Sequence, residues 1–177
     1  PLAVNISLRL FFIPSLKHNL FLYTKTVYNI PMKIRIETAA LTAPNISGVG
    51  HYTRMLTNSL ACYSPSGTEV SAFYFNFLSK HRDPILNNSI KHEKHTLMPQ
   101  RLFAKLQSYG LPLPYDLLSS PVDVAIFPNF DRWTTSKATI TAVVIHDLGY
   151  LYFPETIERR NLAHLRRRVA HAARVAD

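Results

Sequence analysis

The sequence predicts an α/β fold: a Rossmann-like parallel sheet with helices on both faces. Three observations predict it. Strand-like and helix-like runs alternate along the chain. The last two strand-like runs, residues 122–127 and 139–145, are almost wholly apolar, as expected of strands covered on both faces. The chain has 177 residues, 47% hydrophobic and 18% charged, the balance of one compact domain.

The elements follow in order. Residues 1–31 carry Arg9, Lys17 and Lys25 and no acid. Their apolar stretch is broken by Arg9, Pro14, Lys17 and His18, so it falls short of the roughly 18–20 apolar residues of a membrane span. It also lacks a signal-peptide pattern. It reads as an extension upstream of a start at Met32, with a basic interfacial segment as the alternative. Residues 33–38 alternate as a first strand. Val49, Tyr52, Thr53, Leu56 and Leu60 share one face of a helix that Ser64-Pro65-Ser66-Gly67 stops. Residues 70–77, β-branched and aromatic, are a second strand. Residues 79–98, rich in His, Lys, Asn and Pro, read as an irregular loop. Leu102, Phe103, Leu106 and Tyr109 indicate a short helix closed by Gly110. Two buried strands follow, the second ending in His146-Asp147-Leu148, and Pro154 opens a final helix.

The net charge is +9, with pI near 9.9. A basic excess points to anionic partners without choosing among them. One cysteine, Cys62, reads as a helix-face residue near the core; it excludes an internal disulfide and a Cys-rich zinc site, and fits a cytoplasmic setting. His92-Glu93-Lys94-His95 has the wrong spacing for the helical zinc motif, so no metal is expected. No Gly-x-Ser-x-Gly elbow supports acyl hydrolysis. In the final helix Ile157, Leu162, Leu165, Val169 and Ala172 oppose Arg159, Arg160, Arg166, Arg167 and Arg174. That basic face is either simply solvated or meets acidic lipid headgroups. Nucleic acid is not an expected partner.

In open parallel sheets ligands gather at the carboxyl ends of strands, so the loops 39–50, 128–138 and 146–153 hold the candidate residues. Gly48 and Gly50 precede a helix N-terminus, where free N–H groups favour an anion; an ordinary glycine turn is the plainer reading. A dinucleotide fingerprint is excluded: Thr53 stands where its third glycine belongs, and Gly48 lies ten residues past Thr38. His146 can donate or accept a proton near neutral pH, and Asp147 can orient it or bind a hydroxyl. Asn129 offers an amide at a strand end. Asp131, Arg132 and Trp133 form either a sugar-facing loop or a surface turn.

Four segments carry a resemblance: Ser47-Gly48-Val49-Gly50-His51-Tyr52-Thr53-Arg54, then Asp123-Val124-Ala125-Ile126-Phe127-Pro128-Asn129-Phe130, then Val143-Val144-Ile145-His146-Asp147-Leu148 with Phe153-Pro154-Glu155, and the Arg-rich helix ending Ala172-Ala173-Arg174-Val175-Ala176-Asp177. In this order, residues 32–177 resemble the N-terminal domain of family-4 glycosyltransferases, a GT-B group that includes bacterial mannosyltransferases of surface polysaccharides. The resemblance implies transfer of a hexosyl unit from a nucleotide-sugar to a saccharide or lipid-linked acceptor, with retention and without cofactor or metal. It places Gly48, Val49, Gly50, Tyr52 and Asn129 against donor or acceptor, and His146 and Asp147 near the reacting carbon. It implies a following donor-binding domain with paired glutamates, which these 177 residues do not include, so the fragment alone is expected to be inactive. It also implies a cytoplasmic location, at the inner face of the membrane. A non-catalytic remnant or a stand-alone basic α/β binding module are the competing readings.

Overall fold

The computed structural model describes residues 31–176 apart from 110, 112, 131, 137 and 138. The proposed extension therefore lies, save for Pro31, outside the described residues.

Alternation in the first strand sets the architecture. In β1 (Lys33–Glu37) Ile34 and Ile36 face one way and Arg35 the other. β2 (Glu69–Phe75) repeats the pattern, with Val70 and Ala72 opposite Ile34 and Ile36 in parallel register. With β3 (Lys91–His95), β4 (Val124–Phe127) and β5 (Ile140–Val143) they form an all-parallel sheet in the order β3-β2-β1-β4-β5. The expected Rossmann-like α/β fold is thus the observed one.

Each face has its own core. Ile34, Ile36, Val70, Ala72 and Ile90 pack with Leu60 and Ala61 of α1 (Gly48–Tyr63). On the other face Phe73, Phe75, Ala125 and Phe127 meet Phe103 of α2 (Gln100–Ser108) together with Tyr115 and Trp133. β1 lies in the middle of the sheet; from it the chain winds outward to β3, then crosses back to β4 and β5. That reversal opens a crevice beyond the carboxyl ends of β1 and β4, the usual ligand position in such sheets.

Four local expectations are corrected. The segment read as a loop contains β3, Lys-His-Glu-Lys-His, an edge strand whose charged residues hide it from a hydrophobicity pattern. It is fixed by backbone pairing to β2 and by Glu93, whose carboxylate reaches the buried Arg35 guanidinium at 2.5 Å. β5 is not covered on both faces: Ile140 is 56% exposed and Ala142 is exposed. In α1 the buried face is Gly50, Thr53 and Thr57, while Tyr52 is exposed and Leu56 and Leu60 are half-buried. The Thr53 and Thr57 hydroxyls donate back to the carbonyls of Val49 and Thr53, which satisfies them without water. Cys62, on the same helix, is exposed rather than near the core.

The C-terminal helix also starts later than Pro154. That proline opens only a short 3-10 turn, Pro154–Thr156, because Ile157 and Glu158 are extended, with ψ of 135° and 132°. After the short α3 (Gly149–Tyr152), the long helix α4 runs over Arg159–Val175. Val169 and Ala172 are buried, and Arg159, Arg166, Arg167 and Arg174 are exposed, as its amphipathic pattern predicts. No described helix is long and apolar enough to cross a membrane.

Candidate functional site

Three turns at the carboxyl ends of β1, β4 and β5 build the site. The first follows Thr38, whose N–H and hydroxyl both donate to the Phe73 carbonyl and end the strand. The chain then passes through a 3-10 turn, Ala39–Leu41, and enters α1 at Gly48. Ser47 caps that helix, its hydroxyl accepting from the Gly50 N–H at 3.4 Å. The Gly48 and Val49 amides, in the first turn, have no acceptor within the helix.

The two glycines do different things. A Cβ on Gly48 would have nothing within 4 Å. A Cβ on Gly50 would stand 2.5 Å from Ile46 Cγ2 and 3.0 Å from the Ala40 carbonyl oxygen. Gly50 therefore lets α1 lie against the preceding turn, whereas Gly48 leaves the helix entrance open. Tyr52, one turn further on, is 40% exposed.

The second turn is Pro128-Asn129-Phe130. It is tied to the end of β5 by two backbone bonds, Val144 N–H to Phe127 O at 2.9 Å and Phe130 N–H to Val144 O at 3.3 Å. Phe130 has φ of 37°, a left-handed backbone that costs a bulky residue about 1–3 kcal/mol and tends to occur at functional sites. Asn129 is exposed.

The third turn brings His146 onto the other two. Its Nε2 lies 2.8 Å from the Pro128 carbonyl oxygen. A carbonyl can only accept, so the Nε2 carries the hydrogen, and in the neutral ring Nδ1 keeps its lone pair. The imidazole meets the Tyr52 ring edge-on, centroids 4.9 Å apart, and the Phe130 ring at 5.9 Å. Tyr52 of α1 and the Pro128-Asn129-Phe130 turn thus both contact the imidazole that the third turn supplies. Asp147 does not orient it. The Asp147 Oδ1 accepts from the Gly149 N–H at 3.0 Å, and the Pro128 carbonyl holds the histidine instead.

Beside this cluster lies a cavity of about 370 Å³, lined by Asn129, Phe130, Asp147, Tyr150, Asn161 and Leu165 among others. It brings together two residues that the sequence singles out, Asn129 and Asp147. Gly48, Val49, Gly50 and Tyr52 do not line it, and of these Tyr52 meets the His146 ring. Pro128, Phe130, Tyr150 and Asn161 escaped the reading of site residues. Asn161 and Leu165, four apart in α4, share a helix face, but nothing in that spacing marks the asparagine as a ligand.

Other candidates fall away from the rim. Trp133 is 6% exposed and stacks on Phe103 at 5.0 Å, so it belongs to the aromatic core and not to a sugar-facing loop. The Arg132 Nε donates to the Thr141 hydroxyl at 3.1 Å. Asp131 lies outside the described residues. His92 and His95 contact opposite faces of the sheet, through Tyr74 and through Phe73 and Phe75 respectively. Burial pushes the His95 imidazole below its ordinary pKa, and the Arg35 charge acts in the same direction.

The largest charges near a cavity sit elsewhere. A space of about 440 Å³ at the amino ends of the strands is lined by Lys33, Arg35, Glu69, Lys91 and Glu93 among others. It lies at the opposite end of the sheet from the three turns. No protein-family model and no curated protein matches the chain.

Proposed function

We propose that this chain is the acceptor-side half of a retaining, GT-B-type glycosyltransferase, moving a hexosyl unit from a nucleotide-sugar to a saccharide or lipid-linked acceptor. One observation carries the reading: Tyr52 of the helix that the glycine turn opens, the Pro-Asn turn and the His-Asp turn meet around His146 at the carboxyl end of a parallel sheet. The open helix entrance at Gly48 and Val49 suits a diphosphate. His146 Nδ1 is available to a donor sugar or acceptor hydroxyl. The resemblance assigns the nucleotide to a second domain. Retention then follows from the leaving diphosphate: its oxygen departs with the electron pair of the C1–O bond. The acceptor oxygen attacks the same face, its proton passing to that phosphate oxygen.

The test joins this chain to a donor-binding second domain, supplies nucleotide-hexoses, and reads the anomeric signal of the product by NMR. Transfer with the donor's anomeric configuration is expected. Inverted product, or hydrolysis of an unrelated bond class with no transfer, contradicts the proposal.

A further observation favours work at a membrane surface. Leu151, Tyr152 and Phe153 are 51%, 75% and 60% exposed, and the turn Pro154–Thr156 leads from them into α4 with its exposed arginines. We infer that this corner rests on acidic lipid, as a lipid-linked acceptor would require.

A further inference from the structure

The cavity beside His146 differs in its chemistry from the rest of the protein. The chain carries +9, yet among the described residues lining this cavity there is no lysine, arginine or histidine. Among the described lining residues the polar ones are Asn129, Asn161, Asp147 and Tyr150. Phe130, Ile157 and Leu165 supply apolar walls. Amides donate and accept together, and a carboxylate accepts from hydroxyls. Sugar hydroxyls need both, while the C–H faces of a pyranose need apolar surface. A phosphate or carboxylate placed here would face Asp147 with no lysine, arginine or histidine among the described lining residues to offset it, a costly arrangement in a partly dehydrated space. At about 370 Å³ the cavity stands at the small end of ligand pockets, roughly 300–1,000 Å³, and suits one monosaccharide unit.

We propose that this cavity holds the accepting unit of the acceptor, and that this unit is an uncharged pyranose, bound by Asn129, Asn161 and Asp147. The inference rests on the glycosyltransferase reading and narrows it: sugar phosphates and uronic acids are excluded as accepting units. Asn161 becomes a specificity-determining residue, reaching the acceptor from α4, while Phe130 both lines the cavity and meets the His146 ring at 5.9 Å.

The 177-residue chain itself serves for the test. Methyl α-D-mannopyranoside, D-mannose 6-phosphate and D-glucuronate are titrated separately, with saturation-transfer NMR as the readout and amide spectra confirming the fold of each variant. The neutral glycoside is expected to bind saturably, with the two anions at least about tenfold weaker. Asn161→Ala should weaken the neutral glycoside by about fivefold or more. Asp147→Asn should narrow the gap between neutral and anionic sugars. Anions binding as well as the neutral glycoside would overturn the uncharged assignment while leaving the sugar reading intact. Neutral binding unmoved by Asn161→Ala in a folded variant would overturn the placement. Binding of no sugar at all would overturn both the inference and the reading beneath it.

Discussion

Gly48 and Gly50 are two residues apart and look equivalent in the sequence. The Ala40 carbonyl and the Ile46 methyl separate them, because only Gly50 faces the turn that leads into α1. Backbone cannot move aside as a flexible side chain can. Gly50→Ala is therefore expected to cost about 1–3 kcal/mol in denaturant unfolding. Gly48→Ala should stay within about 0.5 kcal/mol. Equal losses at both positions would contradict the packing role of Gly50. The same scale shows what a sequence hides. His146 stands out by type and by its place after an apolar run, but its partner is a backbone carbonyl, which no side-chain pattern reveals. Asp147, its neighbour in sequence, reads as the natural orienter and instead closes its own turn on Gly149. Trp133 looks like a sugar-stacking residue until the core that encloses it is known.

Among the elements, β1, β2, β4 and α1 were legible because hydrophobic period and stop signals agree there. β3 was not. Its five residues include two lysines, two histidines and a glutamate, and what makes them a strand is pairing with β2 and the pull of buried Arg35 on Glu93. That information lies in tertiary partners and not in the segment. β5 misled in the opposite direction: an apolar run reads as doubly covered, yet Ile140 and Ala142 are exposed at the sheet edge. In α4 the amphipathic pattern held, with Arg159, Arg166, Arg167 and Arg174 exposed and Val169 and Ala172 buried. If that face and the Leu151-Tyr152-Phe153 corner meet acidic lipid, the chain should co-sediment with vesicles containing phosphatidylserine and far less with neutral ones. Paired Arg166→Ala and Arg167→Ala replacements should weaken binding by roughly tenfold or more, at about 1 kcal/mol per charge. Equal binding to neutral and acidic vesicles would contradict the surface assignment.

At the scale of the whole molecule, alternation of elements and two apolar strands were enough to anticipate a parallel sheet. The order β3-β2-β1-β4-β5 was not written in any single segment, because β3 itself was hidden. The order matters, since the reversal between β1 and β4 creates the crevice where the three turns meet. The candidate site was legible as a set of loops and only partly as residues: Asn129 and Asp147 share a cavity, Tyr52 and His146 share a ring contact, and Asn161 arrives from a helix more than ten residues downstream. The account stands on His146 as the point where those loops meet. Its most direct test is the turnover of His146→Ala in the enzyme that joins this chain to a donor-binding domain, with thermal unfolding measured alongside. The expected result is turnover lowered by at least about tenfold with folding retained; near-normal turnover would remove His146 from the chemistry and contradict the account.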